Sequence, residues 1–212
     1  LFFIFIFNKK KRTPSNKYFF QYGWCFGFGY FLFSLYWIVI SLTFDQSFKF
    51  LIPIAIVLLP TFLALFYALI TYLFSILYSK NVVSSFFIFS ILFGTIEFVR
   101  SSILTGFPWN LISFSFSDSI YFIQVLSIIG TYSFNLICIS LFTVPALFIL
   151  RKSRTEIIVC FSFILLSVLF LIFGNIRGNS FSSLESIKNS YTIRAISSNI
   201  SLDRFYSKQD EL

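Results

Sequence analysis

Long apolar runs alternate with short polar stretches along this chain. Five runs stand out, at 18–43, 50–78, 82–104, 120–150 and 157–174, with a shorter apolar stub at 1–7. A helix needs about 20 mostly apolar residues to cross the hydrocarbon core of a bilayer. Each of the five therefore predicts a membrane-spanning helix, and the stub predicts the end of a sixth. The second and fourth runs are long enough to tilt or to include an interfacial turn. Pro53, Pro60 and Pro145 fall inside the runs, and membrane helices tolerate them because neighbouring groups re-satisfy the freed carbonyls. After Gly174 the pattern changes. Positions 175–189 are rich in Ser, Asn and Gly and read as a linker. Tyr191-Thr192-Ile193-Arg194-Ala195-Ile196 then alternates apolar and polar side chains, which predicts a short strand. The expected division is a helix bundle over 1–174, a linker over 175–189, and the start of a water-soluble domain over 190–212.

Composition narrows the class. The 212 residues are 58% hydrophobic and only 11% charged, against about 25% charged in soluble domains. That excludes a water-soluble monomer and a disordered chain. The net charge is +8, but the basic residues lie in connections between apolar runs, so no nucleic-acid partner is expected. The chain has no His, and its three Cys (Cys25, Cys138 and Cys160) lie in apolar runs. There they read as small hydrophobes, and neither a metal nor another cofactor is expected. The chain has no Met and opens in the stub, which reads as an internal fragment of a longer protein.

The charges orient the bundle. Nine basic residues (Lys9, Lys10, Lys11, Arg12, Lys17, Lys80, Arg151, Lys152 and Arg154) fall on alternate connections, and three (Lys49, Arg100 and Arg177) on the other side up to residue 178. The positive-inside rule places 8–17, 79–81 and 151–156 in the cytoplasm. It places 44–49, 101–118 and everything after 174 outside.

Few positions carry candidate chemistry. Gly23 and Gly27 form a G-x-x-x-G pair, which lets another helix approach closely. Glu97 and Arg100 are three apart near the outer end of the third run, so they face the same way and can pair. Charges at membrane depth are functional candidates by default. An ion pair that fixes the helix end is one reading, and a headgroup or carboxylate contact by Arg100 is the other. Thr105-Gly106-Phe107-Pro108-Trp109-Asn110 follows, either a membrane-anchored turn or a loop that shapes a lipid entrance. Gly130-Thr131-Tyr132-Ser133 could serve packing or line a polar site. No constellation for catalysis is present, so the residues alone describe a multi-pass membrane anchor leading into an external domain.

The order of these motifs resembles the bacterial apolipoprotein N-acyltransferases. Gly23-Trp24-Cys25-Phe26-Gly27-Phe28-Gly29-Tyr30, followed by Leu35-Tyr36-Trp37-Ile38, looks like the early helix of that family. Leu51-Ile52-Pro53-Ile54 and 62–68 look like its next helix. Most specific is Glu97-Phe98-Val99-Arg100 with Thr105-Gly106-Phe107-Pro108-Trp109-Asn110, which resembles the family's E-[WF]-x-R … T-G-F-P-W signature. Gly130-Thr131-Tyr132 matches a similar G-x-Y. Ile196-Ser197-Ser198-Asn199-Ile200 resembles the first strand of the family's nitrilase-like domain. Ser201 stands where the family often has Pro, and Tyr206 about where it often has Trp.

The resemblance implies an all-α multi-pass membrane helix bundle followed by the first strand of an α/β nitrilase-like (carbon–nitrogen hydrolase) sandwich domain. It implies transfer of an acyl chain from a membrane phospholipid to the N-terminal amino group of a diacylglyceryl-cysteine apolipoprotein. The setting would be the bacterial inner membrane, with the C-terminal part on the periplasmic side. The family's chemistry runs through a Cys thioester, with a Glu base and a Lys at the oxyanion. Those residues are expected beyond Leu212, so no catalytic residue is assigned here. Substrate contacts are expected from Glu97, Arg100, Phe107, Pro108, Trp109, Tyr132 and Tyr206. A non-catalytic transporter or membrane scaffold is the alternative, and a nitrilase-like domain in the following reading frame would discriminate against it.

Overall fold

The structure is a computed structural model that describes residues 1–12, 15–103, 108, 110–182 and 194. The described residues form helices and no strand. Of the strand expected over 191–196, only Arg194 is described; the rest lies outside the described residues.

The stub belongs to a helix, α1 (Phe2–Arg12), that runs on through the basic cluster expected to be loop. Phe3, Ile6 and Phe7 are buried on one face, the i, i+3, i+4 stripe of an amphipathic helix. Lys9, Lys10, Lys11 and Arg12 form its last turn, where positive charge suits the C-terminal end of the helix dipole. The ammonium groups of Lys9, Lys10 and Lys11 lie over rings, with Lys11 Nζ 4.5 Å from the centre of Phe7. That is how long cations stay near an apolar boundary.

The five expected spans are present as helices long and apolar enough to cross a membrane: Lys17–Thr43, Gln46–Leu77, Val82–Ile103, Leu126–Ile149 and Arg154–Ser180. The first is α2 (Lys17–Leu35), which tightens into a 3-10 helix at Tyr36–Thr43. There Ser34, Ser41 and Thr43 donate back to the carbonyls of Tyr30, Ile38 and Ile40, bonds that compete with the regular helical pattern. Asp45 accepts from the Ser47 N–H at 2.8 Å and starts a short 3-10 turn. That turn leads into α3 (Ile52–Leu77), with Pro53 in its first turn, where a missing N–H is harmless. Asn81 caps α4 (Val82–Ile103) by accepting from the Ser84 N–H at 3.0 Å.

The fourth run, long enough to tilt or to include an interfacial turn, is interrupted. A short α5 (Ile120–Ile123) precedes α6 (Leu126–Ile149), and Gly130 inside α6 has φ 74° and ψ 169°. Only glycine adopts that backbone at little cost. The last helix, α7 (Arg154–Ser182), starts three residues before its apolar run. Glu156 in its first turn reaches back to Ser153, its Oε2 accepting from the Ser153 N–H at 2.9 Å and from the Ser153 hydroxyl. It also continues past Gly174 into the polar stretch. Gly174 is a packing position, since a Cβ there would lie 1.7 Å from the Tyr121 carbonyl oxygen. Arg177 then reaches the Ser127 hydroxyl at 2.7 Å, and Asn179 bonds Asn175 at 2.8 Å. The Tyr121 contact and the Arg177 bond hold the extra turns on α5 and α6, and the Asn179–Asn175 bond lies within α7.

Two kinds of contact hold the bundle. The most extensive helix pair is α2 on α3, seated on Gly23 and Gly27. Added Cβ atoms would lie 2.4 Å from the Tyr67 carbonyl oxygen and 2.8 Å from Tyr67 Cβ, respectively. Thr71 Oγ1 crosses the same seam to the Phe19 carbonyl at 2.6 Å. Elsewhere aromatic rings fill the core. Phe3 meets Phe74 and Phe89, and Phe116, Phe122, Phe134 and Phe170 form a second cluster. Ile54, Val57 and Leu58 of α3 and Phe161, Leu165 and Leu169 of α7 are exposed. In water such a surface would aggregate; in a bilayer it faces lipid, and close packing of small residues drives helix association instead.

Candidate functional site

Polar side chains converge between α2, α3, α4 and α6, toward the C-terminal ends of α2 and α4. At their centre is Glu97, which has no exposed surface. Tyr67 of α3 donates its hydroxyl to Oε1 at 3.0 Å, and Asn135 of α6 donates Nδ2–H to Oε2. Each carboxylate oxygen thus accepts a hydrogen bond from a different helix, which offsets part of the cost of placing an acid at membrane depth. Asn135 Oδ1 in turn accepts from the backbone N–H of Ser113 at 2.9 Å. That bond fixes the amide orientation, because only the oxygen can accept from an N–H. Ser113 lies in a 3-10 helix, Ile112–Phe116.

A second arm starts at Tyr30 of α2. Its ring stacks on Tyr67 at 5.6 Å between centroids, and its hydroxyl donates to the Asn110 carbonyl at 3.0 Å. Asn110 has φ 44°, a left-handed conformation that Asn adopts more readily than most residues. Arg100 is also fully enclosed, its guanidinium carbon 5.4 Å from the Phe31 ring centre. That distance is a cation–π contact. Phe31 packs on Tyr67 at 5.1 Å, so the acid, the base and three aromatic rings form one cluster. Beside it Ser101 Oγ and the Tyr132 hydroxyl are hydrogen-bonded at 2.8 Å, and Tyr132 meets Phe98 edge-on at 4.9 Å.

The structure therefore brings Glu97, Arg100 and Tyr132 into one region. Pro108 is half-buried. Phe107, Trp109 and Tyr206 lie outside the described residues. Sequence reasoning missed Tyr30, Tyr67, Asn135 and Ser113. Asn135 carried a usable signal, an amide in the middle of an apolar run. Tyr67 carried none that separates it from the other tyrosines of the spans.

The three cysteines are free thiols. Cys138 and Cys160 are buried, with Cys160 Sγ 3.8 Å from the Val144 carbonyl oxygen, and Cys25 is exposed on α2. Among the described residues no group of three or more His, Cys, Asp or Glu could hold a metal ion. An apolar cavity of about 330 Å3 lies between the start of α1, α4 and α6, lined by Phe2, Phe3, Phe89, Phe93, Ile139 and Phe142, among others.

These features define a multi-pass membrane helix bundle with a hydrogen-bonded polar centre set toward one end. Residues 1–143 match the family model of the apolipoprotein N-acyltransferase N-terminal domain, and the chain belongs to that family. It is 39% identical over 169 residues to the apolipoprotein N-acyltransferase of Rickettsia prowazekii, covering 74% of this chain and 32% of that protein. It is 37% identical over 126 residues to the enzyme of that name from Brucella melitensis (59% and 24%). For that of Rhizobium etli it is 37% over 140 residues (65% and 26%). The chain thus spans about a quarter to a third of the length of these relatives. No solved structure matches it.

Proposed function

We propose that this chain is the membrane part of an apolipoprotein N-acyltransferase, which moves an acyl chain from a phospholipid to the N-terminal amine of a diacylglyceryl-cysteine lipoprotein. Support comes from the family, whose relatives bear that name, and from one structural observation. The buried centre of Tyr67, Glu97 and Asn135 is tied directly to the turn that follows Thr105-Gly106-Phe107-Pro108-Trp109.

In this reading the donor enters laterally from the outer leaflet, and Phe107, Pro108, Trp109 and Tyr132 border its path. Arg100 supplies positive charge behind them for an anionic headgroup, and Tyr206 follows in the external domain. Glu97 contributes by holding that surface. The chemistry itself belongs to a nitrilase-like domain beyond Leu212. There a Cys thiolate, generated by a Glu base, attacks the phospholipid ester carbonyl and expels the lysophospholipid alcohol. The thioester is next attacked by the lipoprotein amine, which forms the amide and returns the thiol. Residues 8–17, 79–81 and 151–156 face the cytoplasm, and the chain after 174 leads into the periplasm.

The test uses phospholipid with a labelled acyl chain and the complete reading frame in membranes. A covalent, thioester-linked label on a Cys beyond Leu212 is expected, formed more slowly in Trp109→Ala at an unchanged protein level. Residues 1–212 alone should take no label, because Cys138 and Cys160 are buried thiols in apolar surroundings, which are inert, and Cys25, though exposed on α2, lies within an apolar run. Labelling of Cys25, Cys138 or Cys160, or none in the complete frame, would contradict the proposal.

A further inference from the structure

The turn 110–113 is held from two sides by groups that belong to the polar centre. Tyr30 donates to the Asn110 carbonyl at 3.0 Å, and the Ser113 N–H donates to Asn135 Oδ1 at 2.9 Å. Between them Leu111 is buried. The second attachment depends on a chain with one direction. Tyr67 O–H and Asn135 Nδ2–H both need acceptors, so residue 97 must accept at both oxygens. Only then does Asn135 present its oxygen, rather than its NH2, to the Ser113 N–H. An acid at position 97 therefore sets the polarity of a backbone attachment one residue removed from it.

We propose that Glu97 and Asn135 are a matched pair of positioning residues whose hydrogen-bond order fixes the 110–113 turn against the bundle. The inference rests on the acyltransferase reading only for its activity readout. It differs from both roles open in the sequence, since the groups that hold Glu97 come from two other helices. It also explains an acid deep in an apolar bundle without requiring that acid to touch lipid. Glu97→Gln keeps the shape but leaves one donor and one acceptor where there were two acceptors. The new NH2 either faces the Asn135 NH2 or, with the amide turned over, faces the Tyr67 hydroxyl, whose own O–H then has no acceptor; turning Asn135 over only moves the clash to the Ser113 N–H. Adding Asn135→Asp removes that clash. In the double variant Tyr67 donates to the amide oxygen at position 97, and the amide NH2 there donates to one carboxylate oxygen at position 135. The other carboxylate oxygen accepts from the Ser113 N–H. The net charge of the pair is unchanged.

The experiment measures lipoprotein N-acylation and backbone hydrogen exchange over 108–118 in the complete reading frame, for Glu97→Gln, Asn135→Asp and the double variant. Each single variant should raise KM for phospholipid about tenfold, the scale of one hydrogen bond to a charged group, with a smaller change in kcat. Exchange over 108–118 should rise with it. The double variant should return both readouts to within about twofold of wild type. The proposal is overturned if the double variant is no better than the worse single one in activity or in folded amount. It is also overturned if Glu97→Gln leaves exchange unchanged. If the wild-type frame proves inactive on lipoproteins, the acyltransferase reading fails by itself, and the exchange data still decide the proposal.

Discussion

The seam between α2 and α3 and the seam joining α4, α6 and the 110–113 turn solve the same problem by opposite means. The first is dry and steric. Gly23 and Gly27 remove side chains so that backbone meets backbone, and Thr71 adds one bond across. The second is polar and directional, built from Glu97, Tyr67, Asn135 and a backbone N–H. Steric seams depend on volume and are indifferent to hydrogen-bond polarity. Polar seams tolerate small changes of volume but fail when one donor becomes an acceptor, because an unmatched buried group loses its full desolvation energy. In a bilayer, packing of small residues suffices to associate helices. The polar seam is therefore better understood as fixing the position of one turn than as holding the bundle together.

The largest effect should come from Gly23→Val. Its added atoms meet the Tyr67 carbonyl at 2.4 Å and the Ala68 Cα at 2.8 Å, both backbone, so neither helix can yield locally. Overpacking of this kind costs about 3 kcal/mol or more, and folded protein recovered in detergent should fall severalfold. A folded yield equal to wild type would break the contrast at its steric end. Next is Tyr67→Phe, which keeps the ring contacts with Tyr30, Phe31 and Phe93 and removes one donor to Glu97. The expected destabilisation is about 1–2 kcal/mol, read as a lower midpoint of thermal unfolding, with a larger proportional loss of acyl transfer. The smallest effect belongs to Gly29→Ala. No atom lies within 4 Å of a Cβ built at Gly29, and alanine favours helix by up to about 1 kcal/mol. Unfolding at an equal or slightly higher temperature is expected, which separates Gly29 from its neighbours in the same glycine-rich helix.

Much of this architecture is legible in the sequence. The five spans follow from apolar run length, and the close approach at Gly23 and Gly27 follows from their spacing. Boundaries are misplaced where local capping overrides apolar content. The bonds from Ser153 to the Glu156 carboxylate start α7 early, and the seat for Tyr121 at Gly174 carries the helix on. The break at Gly130 is marked only by a glycine. Within the site, Glu97 and Arg100 stand out because charge is rare at membrane depth. Of their partners only Asn135, an amide in an apolar run, stands out; which tyrosine of which helix reaches an acid is decided by packing between segments far apart in the chain. Asn135 is 38 residues from Glu97, and no periodicity connects the two.

The reading as a lipoprotein N-acyltransferase is tested most directly by weighing the N-terminal cysteine peptide of a lipoprotein. The complete reading frame would be expressed in bacteria depleted of their own enzyme. We expect the peptide to carry a third, amide-linked acyl chain. A peptide that remains diacylated and keeps a free amine, with the protein present in the membrane at normal level, would contradict that function.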